Sequence, residues 1–182
     1  MSEHNITVEG GSSVRLKTVG KYCDRDIVVT VKYSEADRNA LDGIITRGIN
    51  GSYYNDRVTS IGDRAFMGCG SLGNITFPNV KTINVYAFQS CRNIQIADFS
   101  VLESIGSYAF AYCSGLKALI IRTTEKVCTL STNVFNNSSI ESGKGYIYFH
   151  ASQVDAYKTD AKWSTYASQI RAIEDYPDIC GE

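Results

Sequence analysis

The feature that most constrains this chain is a nine-residue phrase that returns at a fixed interval. IGDRAFMGC occupies residues 61–69, INVYAFQSC occupies 83–91 and IGSYAFAYC occupies 105–113. Each copy begins 22 residues after the one before it and carries the core Ala-Phe-x-x-Cys. An interval of this length is typical of a solenoid, in which each repeat forms one coil and buries its apolar side chains by stacking on its neighbours.

The apolar positions of the copies fall in phase. Two sets of residues are equivalent by phase: Ile61, Ile83, Ile105 and Leu130 in one, and Phe66, Phe88, Phe110 and Phe135 in the other. The interval to the fourth copy is 25 residues because the segment RTTEKVCT adds three. After each cysteine comes an alternating apolar triplet, in which Ile75 and Phe77 of the first copy are expected to point inward and Asn74 and Thr76 outward.

The Ala-Phe-x-x-Cys core predicts a short helical turn. Phe66 and Cys69 have the i, i+3 spacing that places both side chains on one side of such a turn. The small Ala65 allows the turn to lie close against the rest of the coil. The predicted core ladder comprises Phe66, Phe88, Phe110, Phe135, Cys69, Cys91 and Cys113.

The three ladder cysteines are open to a chemical interpretation, as a metal or redox site, and to a structural one. Equivalent positions in adjacent coils lie about 4.8 Å apart, which permits a disulfide, yet three thiols cannot pair completely. No further ligand falls at the same phase, and the chain has no CxxC pair. We therefore predict buried packing thiols and no metal ion. We expect Cys23 to pack in a core and Cys180, in the tail, to be exposed.

Charge and motifs narrow the function classes. The net charge is −1, which favours neither nucleic acid nor an anionic membrane. The sequence has no GxSxG, HExxH, P-loop or GxGxxG phrase, and strand packing or a surface position explains His150 better than a general base does. We predict no enzyme activity and no cofactor.

The expected location follows from segments that the chain lacks. No secretory signal is visible at the N-terminus, and no run reaches the roughly 18–20 apolar residues that span a bilayer. We therefore expect no membrane insertion, and location in a virion or in the bacterial cytoplasm before assembly.

The chain divides by pattern into four segments. We predict an N-terminal β unit for attachment or capping over 1–33, a connector and first degraded coil over 34–56, repeats of about 22 residues over 57–150, and a helical C-terminal cap and tail over 151–182. In the last segment Ser152-x-x-Asp155 resembles a capping box. Trp163, the single tryptophan, is expected to cover the last coil.

The phrase VTSIGDRAFMGCGSLGNITFPNVKTI closely resembles the BspA-like, or treponemal-type, leucine-rich repeat family. The residues that match its signature, IG-x-x-AF-x-x-C-x-x-L, are Ile61, Gly62, Ala65, Phe66, Cys69 and Leu72. Asn84 replaces the glycine of the second copy, and Val134 and Ser138 replace the alanine and cysteine of the fourth. The resemblance implies an α/β solenoid: a right-handed superhelix of β-strands and short helical turns, with an N-terminal β unit and a C-terminal helical cap.

The leader ITVEGGSSVRLKTVGKYCDRDIVVTV and the tail GYIYFHASQVDAYKTDAKWSTYASQIRAI resemble the flanks of leucine-rich repeat proteins encoded in phages and prophages of gut Firmicutes. This resemblance implies a non-enzymatic binding or adhesion module, a tail-associated protein that recognises a host surface protein or glycan. The alternative is an intracellular protein–protein interaction module that acts on a bacterial host factor. Assembly into a homo-oligomer or a virion is expected to use the N-terminal unit.

Binding is expected on outward-facing positions of the strands and on tyrosines of the turns. Tyrosine offers a large amphipathic contact area at low entropic cost, although packing of the tyrosines on neighbouring coils is an equally good interpretation. The mixed chemistry of these positions suits a protein or glycan better than nucleic acid. The candidate binding residues are Asn74, Thr76, Ile96, Asp98, Ser100, Ile120, Arg122, Tyr86, Tyr108 and Tyr112.

Overall fold

The computed structural model describes residues 8–9, 31–32, 40–41 and 51–181. Strands β1 (Val8–Glu9) and β2 (Val31–Lys32) pair in parallel. The rest of the predicted N-terminal β unit, including Cys23, lies outside the described residues.

Two parallel sheets run along the chain, and in each sheet the strands follow one another in space in chain order. The large sheet contains six strands: β4 (Gly51–Tyr54), β6 (Leu72–Phe77), β8 (Ile96–Phe99), β10 (Ala118–Ile121), β12 (Tyr146–Phe149) and β13 (Ile170–Ala172). The small sheet contains five: β3 (Ala40–Leu41), β5 (Ser60–Ile61), β7 (Thr82–Ile83), β9 (Ser104–Ile105) and β11 (Thr129–Leu130). Because successive coils give one strand to each sheet, the α/β solenoid is confirmed.

The strand register reproduces the phase of the repeat. Ile75 pairs with Ala97, and Ala97 pairs with Leu119, at the interval of 22 residues. In the small sheet Leu130 pairs with Ile105 across the longer interval. The three extra residues are therefore accommodated between β10 and β11 without a change of pairing.

Stacked aromatic rings fill the interior of the coils. In the stack formed by the Ala-Phe pairs, ring centroids lie 4.9 Å apart between Phe66 and Phe88 and 5.2 Å apart between Phe88 and Phe110. A second stack joins Phe77 to Phe99 at 5.9 Å. All the predicted ladder phenylalanines and cysteines are buried, with side chains inward.

The turn that carries Ala-Phe-x-x-Cys is a series of tight turns and not a helical one. Arg64 has a φ of 57° and Gly68 a φ of 74°, as the third residue of a type II turn requires. The amides of Ala65 and Cys69 bond the carbonyls of Gly62 and Phe66, three residues back. The amides that alternate with these donate instead to carbonyls of the next coil, as the Phe66 amide does to the Ala87 carbonyl. This ribbon of turns forms a third ladder between coils.

The repeat has glycine directly after its first isoleucine in two copies, as at Gly106, and Asn84 at the same position in another copy. A Cβ atom at Gly106 would lie 2.7 Å from the carbonyl carbon of Asn84 in the preceding coil, so only glycine fits there. At the equivalent position of the second copy, the Asn84 side chain donates a hydrogen bond of 2.8 Å to the Ile61 carbonyl. The replacement therefore adds a contact between coils.

The C-terminal segment covers the last coil. It comprises helix α1 (Ala151–Thr159), a 3-10 helix (Trp163–Gln169), strand β13, a short 3-10 turn (Ile173–Asp175) and helix α2 (Pro177–Cys180). Trp163 is fully buried, and its indole N–H donates to the Cys128 carbonyl at 2.6 Å. The predicted lid is therefore present, but the cap also contains a strand that extends the large sheet.

The predicted capping box is wrong. Helix α1 begins at Ala151 with His150 as its N-cap residue and makes no side-chain capping bond. The first amide, on Ala151, instead donates to the Glu174 carboxylate at 2.9 Å. A residue distant in sequence thus takes the role that Ser152 and Asp155 were expected to share.

Removing one ring of the stack tests the phase assignment. Phe88→Ala is expected to lower the free energy of unfolding by about 3–5 kcal/mol, because it leaves a cavity between two stacked rings. Val85→Ala, at an exposed side chain of the same coil, is the matched control and should change it by less than about 0.5 kcal/mol. Urea denaturation of both variants measures the difference, and equal effects would contradict the assignment.

Candidate binding surface

The cysteine ladder has a structural explanation in hydrogen bonds between coils. The Cys91 thiol donates to the Phe66 carbonyl at 2.9 Å, and the Cys113 thiol donates to the Phe88 carbonyl at 3.1 Å. Burial raises the pKa of Cys113 to about 12 and also raises the pKa of Cys91, so both stay neutral. Over the described ranges, no group of three His, Cys, Asp or Glu residues is placed to hold a metal ion.

The two remaining described cysteines are also buried. The backbone N–H of Cys128 donates to the Tyr157 hydroxyl, so this residue anchors the cap. Cys180 was expected to be exposed, and that prediction is wrong, since its exposed fraction is 4%. Its side chain packs on the large sheet, in an apolar cluster with Ile120 and Tyr148.

Two of the three candidate tyrosines pack on each other. The rings of Tyr86 and Tyr108 stack at 5.3 Å, and the Arg64 guanidinium lies 4.9 Å from the Tyr86 ring centroid. Asn133 donates a hydrogen bond of 2.8 Å to the Tyr108 hydroxyl. These four residues occupy the same left-handed position in successive coils. Tyr112 lies elsewhere on the turns and is 44% exposed.

The outer face of the large sheet carries a row of side chains that crosses all six strands. The register places in this row Tyr54, Thr76, Asp98, Ile120, Tyr148 and Arg171. At its N-terminal end Tyr54 is 63% exposed and Thr76 is half-buried. Asn74, beside them, is exposed, and its side-chain oxygen accepts the Ile96 amide. Side chains of this half of the row are accessible.

Two members of the C-terminal half of the row, Ile120 and Tyr148, are covered by residues 173–181, here termed the strap. Ile120, predicted on the binding surface, is only 1% exposed because it packs in a small apolar cluster. The cluster consists of Ala118, Ile120, Tyr148, Ile173 and Cys180. The assignment of Ile120 to an accessible surface is therefore wrong.

Asp98 and Arg122 fasten the strap. The Arg122 guanidinium donates to both Asp98 carboxylate oxygens, at 2.8–3.3 Å, and also to the Cys180 carbonyl. The hydrogen bond with Asp98 raises the pKa of Arg122, which stays charged. Ser100, two residues after Asp98, is half-buried. Two predicted binding residues thus hold the chain's own C-terminal segment.

A pocket of about 440 Å³ lies where the strap meets the large sheet. Ile96 of strand β8 and Lys117, the residue before strand β10, line one side, and Tyr176 of the strap lines the other. Tyr146 lines it too, with the Arg171 guanidinium 4.6 Å from its ring centroid. Of these residues only Ile96 was predicted to take part in binding. Tyr146 lies in register with Ala118, but an irregular interval separates it from the phased repeats.

His150 lies beside a carboxylate of the strap. Its Nδ1 atom lies 3.0 Å from an oxygen of Glu174, whose other oxygen accepts the first amide of α1. The hydrogen bond from His150 lowers the pKa of Glu174. The pair joins the start of the cap helix to the start of the strap.

The repeat, the two sheets and the turn ribbon can be compared with known proteins. A model of the BspA type leucine rich repeat region matches residues 48–155 in six copies. The chain belongs to the BspA-type leucine-rich repeat family. The match confirms the resemblance seen in the sequence, and it begins before residue 57, where the regular phase becomes visible. BspA-type repeats are binding or adhesion repeats, and no catalytic family is indicated.

A solved structure similar to this BspA-type chain is that of the pneumococcal vaccine antigen PcpA. The two are 10% identical, with a TM-score of 0.39, over 78% of this chain and 48% of PcpA. The chain therefore spans about half the length of that protein. A search of curated protein sequences gave no significant match. In the part of the BspA-type chain that the structure describes, no helix is long and apolar enough to cross a membrane.

The reactivity of the thiols tests their structural assignment. In a Cys23→Ser background, the native thiols are expected to react with Ellman's reagent at pH 8 about 100-fold more slowly than after unfolding in urea, because only the thiolate attacks. Adding Met67→Cys at an exposed turn position supplies a fast-reacting control. Native labelling of any other cysteine at the rate of this control would contradict the assignment.

Proposed function

We propose that this chain is a non-enzymatic binding module whose ligand lies on the outer face of the large sheet, on the part that the strap leaves uncovered. The observation that carries the proposal is the accessible half-row that begins with Tyr54 and Thr76 and has Asn74 beside it. On the inward side, Ile75 and Phe77 of β6 are fully buried, and Tyr53 of β4 packs partly buried against the core. The packing of the coils therefore constrains the inward positions and leaves the outward ones free to serve a ligand.

The backbone behind this half-row is well suited to hold its side chains in place. Three ladders join adjacent coils, two between strands and one along the turn ribbon. Outward side chains on neighbouring strands are spaced by about 4.8 Å, which gives a rigid row at little entropic cost on binding. The row combines an aromatic ring, a hydroxyl and an amide. This mixture favours a surface protein or glycan.

The same proposal places the module on a phage or prophage tail, where it would recognise a host surface component. Its support is the resemblance of the two flanks to phage-encoded repeat proteins and the adhesion-type repeat itself. In this arrangement residues 1–33 attach the module or form an oligomer, residues 57–150 display the binding face, and residues 151–182 close the stack. The alternative remains an intracellular module that engages a bacterial host factor.

A pair of matched threonine variants tests the binding face. Thr76→Arg is expected to weaken binding of the labelled chain to whole cells of the host strain by at least tenfold, about 1.4 kcal/mol, because a long cation replaces a small hydroxyl within the row. Thr129→Arg, on an exposed strand position of the small sheet, should change binding less than twofold. Equal binding by both variants, or no cell binding by the unmodified chain, would refute the proposed face.

The location on a particle has a separate test. Particles purified from an induced lysogen are expected to carry the chain in an immunoblot, at a constant ratio to a tail protein through successive density gradients. Consistent absence from the particles, together with capture of one stoichiometric cytosolic partner from host lysate, would establish the intracellular alternative.

A further inference from the structure

The pocket between the strap and the large sheet differs in chemistry from the rest of the outer face. Of the described residues that line it, three carry cationic side chains, Lys117, Lys144 and Arg171, and none carries a carboxylate. The chain as a whole has a net charge of −1. A pocket with three cations on a nearly neutral protein selects for an anionic group.

We propose that this pocket holds the carboxylated sugar residue of an acidic glycan, such as a sialic or uronic acid. The proposal rests on the proposed binding function and identifies one ligand class for it. It uses a part of the outer face that is separate from the half-row of Tyr54 and Thr76.

The size of the pocket suits one or two sugar residues. Its volume of about 440 Å³ falls in the range of roughly 300–1,000 Å³ that is typical of small-ligand sites. A stable contact with a folded protein buries about 800 Å² on each partner and would extend well beyond this pocket. The pocket is therefore matched to a compact terminal group.

The walls are amphipathic in the way that a sugar ring requires. Tyr146 and Tyr176 are each 36% exposed, and Ile96 and Ile179 also line the pocket. A tyrosine ring packs against the C–H face of a sugar while its hydroxyl exchanges hydrogen bonds. The Arg171 guanidinium lies over the Tyr146 ring, 4.6 Å from its centroid, so the cation and the aromatic ring are adjacent in the pocket wall.

Arg171 is arranged to receive the carboxylate. Its Nη1 atom donates to the carbonyls of Ser168 and Ile170, both at 2.9 Å, so the guanidinium is held in place before a ligand arrives. Its Nε and Nη2 atoms donate no hydrogen bond to any described residue. These two nitrogens are therefore available as a fork for two carboxylate oxygens. Lys117, whose ammonium lies 3.3 Å from the Gln95 side-chain oxygen, adds a second cation.

The acidic groups of the strap do not oppose this assignment. Glu174 is paired with His150 and bonds the first amide of α1. Asp175 and Asp178 are exposed and are not among the residues that line the pocket. The charge that a ligand meets inside the pocket is therefore that of the three cations.

An acidic peptide fits the site less well than a sugar. Extended peptides are commonly bound by pairing with the free edge of a sheet. The pocket instead lies on the face of the sheet, over strands β8, β10 and β12, whose backbone groups are paired with one another. A peptide backbone would find no ladder to join there, whereas a sugar needs only side chains.

Calorimetric titration of the full chain with 3′-sialyllactose and with a glucuronic-acid disaccharide tests the proposal. Lactose is the neutral comparison and pentaglutamate the peptide comparison. At least one acidic sugar is expected to bind ten times or more tightly than lactose and pentaglutamate. Arg171→Gln and Tyr176→Ala should each weaken that binding by at least tenfold, and Arg171→Lys should weaken it less, because it keeps the charge and loses the fork.

Two variants serve as matched controls. Lys81→Gln removes an exposed lysine that pairs with Glu103, and Val101→Ala truncates an exposed apolar side chain outside the pocket; neither should change sugar binding. The proposal is overturned if lactose or pentaglutamate binds as tightly as the acidic sugars, or if the pocket variants bind like the unmodified chain while their melting curves show them folded.

The outcome separates this proposal from the binding function on which it rests. A chain that binds host cells through Thr76 but binds neither acidic sugar loses the pocket assignment and keeps its binding face. A chain that binds the acidic sugars through Arg171 but binds no cells loses the proposed face and keeps the pocket. Loss of both activities overturns both proposals.

Discussion

The rest of the structure depends on the stacking of one coil on the next. The rings of Phe66, Phe88 and Phe110 lie 4.9 and 5.2 Å apart, close to the spacing of paired strands. One coil alone leaves its phenylalanine exposed on two sides, so burial is gained only when a neighbour is added. Hydrogen-bond ladders along both sheets and along the turn ribbon hold the coils at this spacing.

The same stacking explains why a cysteine recurs in the repeat. At its position a side chain must be small enough for the interior and must also serve a carbonyl of the preceding coil. The thiols of Cys91 and Cys113 do both, because sulfur is weakly polar and costs little to bury. Ser138 takes this position, also buried, in the fourth copy. The repeated cysteines therefore belong to the packing and hydrogen bonding between coils.

The C-terminal strap determines which part of the outer face of the large sheet is exposed to solvent. It packs on Ile120 and Tyr148 and accepts a hydrogen bond from Arg122, so these two members of the outer row are removed from solvent while Arg171 stays half-buried at the pocket. In the same arrangement it supplies Tyr176 as a wall of the basic aromatic pocket. The segment that closes the stack therefore also shapes the surface around it, and it separates the open half-row from the pocket.

The sequence by itself determined the coil: its period, its inward phenylalanines and cysteines, and the pairing of Ile105 with Leu130. These features follow from a pattern that repeats at short range, so each copy confirms the others. Only the tertiary structure decided the left-handed turn positions, such as that of Arg64, and the fate of the outer face. Arg122 meets Cys180 from 58 residues away in sequence. A contact made once, between a repeat and a segment outside the repeats, leaves no period to detect.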